Sequence, residues 1–152
     1  MIEHVVLDSL LYLALLPENA HSLLDIGSGS GVPGIPISIA RPDVSVVMVE
    51  SRRKAASFLM TAVRTLGLAG AEVVHGRAEG LIPSGRRFDA AVSRCAGNPE
   101  GILSLGASLV TPGGVVVVSG APNPAPVEGV SVVELVNPLK RSPRHFLVRR
   151  GG

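Results

Sequence analysis

A glycine-rich loop between two apolar runs limits the possible folds of this chain more than any other feature. The apolar residues 23–26 lead into Gly27, Gly29, Gly31 and Gly34, a helix-like apolar stretch follows, and Glu50 closes the next apolar run. Glycine lets the backbone turn sharply and approach a ligand closely, because it has no Cβ atom. The order strand, glycine loop, helix, strand and acid predicts an α/β domain with a nucleotide-type cofactor site.

Two kinds of cofactor use this plan. Residues 29–34 satisfy the dinucleotide fingerprint G-x-G-x-x-G, which is a weak signal when taken alone. A wider pattern starts at Asp25, just before the first glycine. It favours S-adenosylmethionine, whose ammonium attracts a carboxylate and whose carboxylate attracts backbone N–H groups, and Glu50 offers two oxygens to a ribose diol. We therefore expect S-adenosylmethionine, with NAD or a tight turn without a ligand as the alternatives.

Length and composition predict a single domain with one buried core. The 152 residues are 46% hydrophobic but contain no uninterrupted apolar run long enough for a membrane span. The N-terminus lacks a signal-peptide pattern, and the single cysteine, Cys95, excludes an internal disulfide and is expected to be a buried thiol. We expect a cytoplasmic protein with no membrane segment and no metal. We expect residues 1–20 to be the remnant of an N-terminal helix, residues 21–120 the cofactor-binding core and residues 121–152 a C-terminal hairpin.

Basic residues are clustered, although the net charge is only +2. One cluster is residues 52–54, and the other consists of Lys140, Arg141, Arg144, Arg149 and Arg150. Clustered cations favour an anionic partner such as RNA, and the alternative is two solvated surfaces. With no Trp, one Tyr and three Phe, a platform for stacking bases is not expected.

Periodicity and turn residues predict alternating helices and strands. The predicted helices are residues 5–16, 33–40, 52–66 and 99–109, and Ser51 is the expected N-cap of the third. The predicted strands are residues 21–26, 44–49, 72–74, 88–93, 115–119, 131–136 and 145–149, and residues 111–114 are a predicted turn. This order indicates a doubly wound, mostly parallel sheet of seven strands, with one antiparallel strand in the closing hairpin.

Three further segments stand at predicted strand ends, where ligands bind in open α/β sheets. Residues 76–79 follow the third strand and could contact an adenine ring. Arg94 follows the fourth strand, and Arg144 opens the last one. An arginine at such an edge is costly to bury without an anion, so Arg94 is expected to bind one, with a structural salt bridge as the alternative.

These segments together resemble the RsmG (GidB) family of methyltransferases. Residues 25–42 are similar to the cofactor loop of that family, and residues 92–95 to its Ser-Arg-Ala segment. Residues 144–148 are similar to its C-terminal Arg-His strand, and residues 4–10 to the Asp-Ser-Leu segment before its first strand. The resemblance covers nearly the whole chain, and residues 29–36 are its most specific part.

The resemblance implies a Rossmann-like class I methyltransferase fold and methylation of guanine N7 in 16S ribosomal RNA or the small ribosomal subunit. It implies S-adenosylmethionine as the methyl donor. Arg94, Arg77 and Arg144 are the implied positioning residues of the catalytic site. No general base is expected, because guanine N7 has a lone pair and no proton to lose. The predicted cofactor contacts are Asp25, Gly27, Ser28, Gly29, Gly31, Val32, Glu50, Ser51, Ala78, Glu79 and Arg94.

Two departures from the family pattern leave other functions open. Only 22 residues precede Leu23, where the family has a longer helical region, so the chain resembles a short, N-terminally reduced member. Ser119 stands where the family has a lysine. The alternatives are a methyltransferase that acts on a small molecule or a protein, and a homologue that binds S-adenosylmethionine without catalysis.

Overall fold

One seven-stranded sheet with helices against both faces organises the computed structural model, which describes residues 2–94 and 97–152. The strands are β1 (Ser22–Ile26), β2 (Ser45–Glu50), β3 (Ala71–His75), β4 (Phe88–Ser93), β5 (Val110–Gly120), β6 (Val130–Val136) and β7 (Pro143–Arg150). The α-helices are α1 (Ile2–Leu11), α2 (Gly34–Ala40), α3 (Arg53–Thr65) and α4 (Pro99–Ala107). Cys95, predicted to be a buried thiol, lies outside the described residues.

The strands lie in the order β3-β2-β1-β4-β5-β7-β6. Strands β1 to β5 are parallel, and β7 lies antiparallel between β5 and β6. This order confirms the predicted doubly wound, mostly parallel sheet with its antiparallel C-terminal strand. Because the chain winds outward from β1 to β3 and then returns to β4, a switch point lies at the carboxyl ends of β1 and β4. Ligands of open α/β sheets bind at such points.

The central strands are buried on both faces, as their apolar sequences require. Alternate side chains of β1 enter opposite layers. Leu23 belongs to the layer that contains Ile37 of α2 and Leu59 of α3, whereas Leu24 belongs to the layer that contains Leu103 of α4. All five side chains are fully buried, and burial of one such side chain contributes about 1.5–3 kcal/mol. The two layers hold the strand ends in fixed positions at the sheet edge.

The N-terminal helix differs from its predicted range, residues 5–16. Helix α1 ends at Leu11, and Tyr12–Leu15 form a 3-10 turn. Pro17 explains why the helical stretch does not include Leu16, because proline disfavours the α conformation in the residue before it. Leu16 is accordingly extended, with φ −81° and ψ 151°.

Among the described residues, no helix is both long enough and apolar enough to cross a bilayer.

The prediction that Ser51 caps the third helix is wrong. Helix α3 begins at Arg53 with Arg52 in the N-cap position, and no side chain caps it. The Glu50 carboxylate instead accepts the N–H of Arg52 at 2.8 Å. An acid two residues before the N-cap therefore binds the N–H of the N-cap residue.

Strand β5 begins earlier than its predicted range, residues 115–119. The predicted turn, residues 111–114, lies inside β5 as an irregular stretch, where the pairing moves from Phe88–Val110 to Ala90–Val115. Gly113 provides the left-handed conformation there, with φ 80°.

The stretch 121–129 is a loop, as predicted, and the C-terminal pair β6–β7 is the predicted hairpin.

Candidate active site

Two cavities open at the carboxyl edge of the sheet, and the glycine loop borders both of them. The β3-side cavity, of about 140 Å³, is lined by Ile26, Gly27, Val49, Ser51, Gly76, Arg77, Ala78, Glu79, Ile102 and Leu105. The β5-side cavity, of about 270 Å³, is lined by Val5, Asp8, Ser9, Tyr12, Val32, Arg94, Ser119, Gly120, Arg144, His145 and Phe146. Both lie at the switch point where the sheet topology favours a ligand.

The structure divides eight of the predicted site residues between the two cavities, and five line neither of them: Asp25, Ser28, Gly29, Gly31 and Glu50. Gly27, Ser51, Ala78 and Glu79 meet in the β3-side cavity, each at or just after the end of its strand. Val32, Arg94 and Arg144 meet in the β5-side cavity. Arg77, predicted together with Arg94 and Arg144, lines the β3-side cavity instead. The three arginines therefore do not form one group.

The glycine loop uses its own N–H groups to bind the end of β2. Gly27 and Ser28 both donate to the carbonyl oxygen of Val49, at 2.9 and 3.1 Å, and Gly31 donates to Ser28 at 2.8 Å. Gly29 donates to Glu50 Oε2 at 2.7 Å. Because these four donors have protein acceptors, a ligand would meet the Cα atoms and carbonyl oxygens of this part of the loop.

Asp25 lies beneath the loop with its side chain fully buried. Its Oδ2 accepts the N–H of Gly34 at 2.9 Å, and its Oδ1 has no hydrogen-bond partner among the described residues. Burial raises the pKa of Asp25 to about 7. Position 34 has to be glycine, because an added Cβ would lie 2.6 Å from Asp25 Oδ2 and 2.7 Å from Met48 Cγ.

Glu50 ends β2 with a carboxylate that is only 4% exposed. Its oxygens accept the N–H of Gly29 and both the N–H and Nε–H of Arg52, the latter two at 2.8 and 3.2 Å. Burial raises the pKa of Glu50, but these hydrogen bonds outweigh it and hold the pKa below its usual value. Glu50 therefore stays ionised, and it fixes the start of the loop relative to α3.

An aromatic pair forms the floor of the β5-side cavity. The Tyr12 hydroxyl donates to the carbonyl oxygen of Ser93 at 3.1 Å, and its ring meets Phe146 edge to face with the centroids 4.9 Å apart. Burial raises the pKa of Tyr12 to about 12, so the hydroxyl stays protonated. Arg94 is exposed beside them, and none of the ion pairs among residues 2–94 and 97–152 involves it.

A polar network joins α1 to the C-terminal hairpin at the wall of the β5-side cavity. Asp8 Oδ2 accepts a hydrogen bond from Arg144 Nη2, and Asp8 Oδ1 accepts one from Asn137 Nδ2 at 2.5 Å. Asn137 is fully buried, and its side-chain oxygen accepts the N–H groups of Leu139 and Lys140 at 3.0 and 3.3 Å. The carboxylate of Asp8 is thus bound on both oxygens.

The predicted C-terminal basic cluster is split by the direction of β7. Lys140, Arg141 and Arg144 lie at the carboxyl edge of the sheet, where the candidate site is. Arg149 and Arg150 lie at the other end of β7, opposite Val116 and Val115. Arg150 is six positions after Arg144 along the extended strand, which places the two residues about 20 Å apart. Only the first three can act with the site.

A family model for "rRNA small subunit methyltransferase G" (GidB) matches residues 1–123. The matched range contains the glycine loop, the two carboxylates Asp25 and Glu50, and strands β1 to β5. This chain belongs to that family. The matched range ends before β6, so Arg144 and the rest of the C-terminal hairpin lie outside it.

Curated members of the methyltransferase G family support the same assignment. The chain is 42% identical over 117 residues to "Ribosomal RNA small subunit methyltransferase G" of Stenotrophomonas maltophilia, which covers 77% of this chain and 54% of the relative. It is 43% identical over 119 residues to the protein of that name from Sorangium cellulosum, covering 76% and 50%. The chain thus spans about half the length of the curated relatives it matches.

A solved methyltransferase structure shows the same fold. The O-methyltransferase TomG of Streptomyces achromogenes, in complex with SAM, aligns with a TM-score of 0.67 at 22% identity. The alignment covers 95% of this chain and 79% of TomG. The fold of this methyltransferase G family member is therefore that of the class I methyltransferases.

Sequence reasoning missed several residues in and behind the wall of the β5-side cavity in this methyltransferase G family member. Tyr12 and Phe146, which line the cavity, and Asn137, which is buried behind Asp8, were not predicted for the site, and Asp8 was noted only within a family-like segment. Asp8 and Asn137 are 129 positions apart. No local pattern reports such a contact, whereas the strand ends that form the β3-side cavity are marked by local motifs.

Proposed function

We propose that this chain binds S-adenosylmethionine and methylates guanine N7 in the 16S RNA of the small ribosomal subunit. The match to the methyltransferase G family over residues 1–123 carries the proposal. Guanine N7 and the methyl donor follow from the family resemblance, and the edge residues give the proposal its physical content.

The residues around the β3-side cavity fit the adenosine part of S-adenosylmethionine. Gly27 leaves its Cα side open, since an added Cβ would meet nothing within 4 Å. Glu50 is ionised and stands at the end of β2, where a two-oxygen acceptor can take a ribose diol once the Arg52 side chain, 71% exposed, moves aside. Ala78 and Glu79 are the proposed contacts of the adenine.

The methionine part of the cofactor fits the gap between the loop and Arg94. Asp25 is fully buried and cannot touch a ligand, and burial raises its pKa to about 7, so its proposed role is to hold the loop through the N–H of Gly34. Its Oδ1, which has no partner among the described residues, is the atom that a nearby cation would stabilise. Arg94, exposed in the β5-side cavity, is the proposed partner of the cofactor carboxylate.

The β5-side cavity is the proposed position of the acceptor base. Bound S-adenosylmethionine would supply an electrophilic methyl group to the lone pair of guanine N7, with cleavage of its C–S bond and release of S-adenosylhomocysteine. The chain has to align the base and exclude water. Tyr12 and Phe146 form an apolar floor that is proposed to do both. Tyr12 keeps its proton and Asp8 is bound on both oxygens, so neither is assigned as a general base.

Cations at the same edge suit an RNA partner. Arg52, Arg53 and Lys54 are exposed at the start of α3, and Lys140 and Arg141 are exposed in the turn between β6 and β7. Phosphate contacts of this kind weaken steeply as the salt concentration rises. We therefore expect RNA binding that is lost at high salt.

The first experiment is calorimetric titration of the purified chain with S-adenosylmethionine. Glu50→Gln should weaken binding about tenfold, because the ribose loses a charged acceptor. Glu72→Gln is the matched control, because Glu72 is an exposed acid of β3 that pairs with Arg86. Equal binding by the wild type and both variants would contradict the role of Glu50, and absence of binding by the folded wild type would contradict the proposed function.

Transfer of a labelled methyl group then tests the acceptor. Unmethylated 16S RNA and 30S particles should become labelled, and the label should be in 7-methylguanine after digestion. Label in another base would overturn the N7 assignment.

A second candidate is a methyltransferase with a small-molecule acceptor. Ser119, which lines the β5-side cavity where the family has a lysine, favours it, because loss of a cation reduces attraction for phosphate. Binding of S-adenosylmethionine without labelling of any RNA, at low salt, would favour this candidate over the first.

A further inference from the structure

One face of α1, continued by Tyr12 of the following 3-10 turn, forms a wall of the β5-side cavity. Val5, Asp8, Ser9 and Tyr12 recur at helical spacing and all line it. Only Asp8 among them is charged, and it contacts Arg144, which lines the same cavity from β7. The contact therefore determines where a cation stands in the proposed acceptor site.

Asp8 is held in place at both of its carboxylate oxygens. One oxygen binds Arg144 and the other binds Asn137, which is itself fixed by the N–H groups of Leu139 and Lys140. Burial raises the pKa of Asp8, but the hydrogen bonds from Arg144 and Asn137 outweigh it and lower the pKa below its usual value. Asp8 is thus a fixed negative charge between α1 and the hairpin.

Arg144 keeps donors that its protein partner does not use. A guanidinium has five N–H groups, and among the described residues its only hydrogen-bond acceptor is Asp8. Its Nε is buried without a partner in that part of the chain. An orphaned buried donor costs free energy unless a ligand oxygen meets it, and the guanidinium lines a cavity large enough to admit one.

We propose that Asp8 is a positioning residue of the methyl-transfer site, which holds the Arg144 guanidinium so that its remaining donors bind an oxygen of the RNA acceptor. This inference rests on the proposed function. The inference adds a role for α1 to the proposed function. Through the Asp8–Arg144 ion pair, the helix positions a cation in the acceptor subsite, and it leaves the S-adenosylmethionine subsite unaffected. Asn137 fixes the second oxygen of Asp8 and so determines its orientation.

A double-mutant cycle tests this role. Asp8→Asn, Arg144→Gln and the double variant are compared with the wild type for S-adenosylmethionine affinity by calorimetry, and for kcat and KM with unmethylated 16S RNA or 30S particles. We expect Asp8→Asn to lower kcat/KM for RNA about tenfold, with cofactor affinity unchanged within about twofold. The double variant should be no worse than Arg144→Gln, because Asp8 acts through Arg144.

Two further variants separate positioning from folding. Asp8→Glu keeps the charge and should recover part of the activity lost in Asp8→Asn, whereas a purely structural defect would not be recovered by a longer side chain. Asp43→Asn is the matched control, because it removes an aspartate from an exposed pair with Arg41 at the opposite edge of the sheet. It should leave all three parameters unchanged.

Three results would overturn the inference: wild-type kinetics in Asp8→Asn, independent losses that multiply in the double variant, or a loss of cofactor affinity equal to the loss of activity. A wild-type chain that binds S-adenosylmethionine but methylates no RNA would instead refute the proposed acceptor, and the inference with it.

Discussion

The two cavities at one sheet edge are constructed in different ways. The β3-side cavity is lined by residues at or close to the ends of their own strands, such as Gly27 after β1 and Ser51 after β2. The β5-side cavity depends on contacts between distant parts of the chain, because Asp8 meets Arg144 across 136 positions and Tyr12 meets Ser93 across 81. The first is a product of the βα units themselves, and the second requires α1 to dock correctly.

This difference predicts separate consequences for mutations. The glycine loop is packed into the core through Asp25 and Gly34, so changes there should affect the whole fold. The Asp8 network lies at the wall of one cavity, where Asp8 and Arg144 are partly exposed, so changes to these two residues should affect one function. The largest expected effects therefore come from the loop.

Gly34→Ala should destabilise the fold most. The added Cβ would lie within 2.7 Å of Asp25 Oδ2 and Met48 Cγ, both of which are fully buried. Relief of the clash would break the Gly34–Asp25 hydrogen bond and leave a buried carboxyl group without a donor. We expect a loss of about 4 kcal/mol or more in the free energy of unfolding, measured by urea denaturation.

Gly80→Ala is the control for this substitution. An added Cβ at Gly80 meets nothing within 4 Å, so its free energy of unfolding should change by less than about 0.5 kcal/mol. Equal stability of Gly34→Ala and the wild type would show that the loop is not packed as described.

Asp25 should make the stability depend on pH in an unusual direction. Burial raises its pKa from 3.8 to about 7 in the folded chain. Between these values the folded state holds a proton that the unfolded state releases, so the free energy of unfolding falls as the pH rises, by about 1 kcal/mol per pH unit. Above about pH 7 this contribution levels off.

Asp25→Asn should remove that slope. Urea denaturation of both proteins at about pH 5 and about pH 7 measures the slope. Asp8, Glu50 and Asp89 titrate below this pH range, because their pKa values are lowered. The same slope in both proteins would mean that Asp25 is ionised when buried.

The sequence predicted one cavity better than the other for a physical reason. Gly27, Ala78 and Glu79 were found because strand ends, glycines and acids are local signals, and parallel strands bring their carboxyl ends to one edge. Asn137 was not found, because nothing near it in sequence marks a contact with α1. Ser51 was misread as a cap because α3 begins one residue later than predicted, which puts Arg52 in the N-cap position.

Glu50→Gln and Asp8→Asn should impair different steps, cofactor binding in the first variant and RNA turnover in the second. Comparing them tests whether the two cavities act separately. Glu50→Gln should weaken S-adenosylmethionine binding about tenfold, which corresponds to about 1.4 kcal/mol, because it removes charge from the ribose acceptor. Asp8→Asn should keep that affinity and lose RNA turnover. Calorimetry and methyl-transfer kinetics on both variants check this, and parallel losses in the two measurements would mean that the cavities act as one unit.

Tyr12→Phe should have the smallest effect of these changes. It removes the hydroxyl that donates to Ser93 but keeps the ring that packs on Phe146, so the free energy of unfolding should fall by about 1 kcal/mol. Because burial raises the pKa of Tyr12 to about 12, the hydroxyl is not a base near neutral pH, and the methyl-transfer rate should stay within about twofold of the wild type. Tyr12→Leu, which also removes the aromatic floor, should cost more in both stability and rate. A tenfold slower Tyr12→Phe variant of unchanged stability would place the hydroxyl in the chemistry and make the β5-side cavity more than an apolar, water-excluding surface.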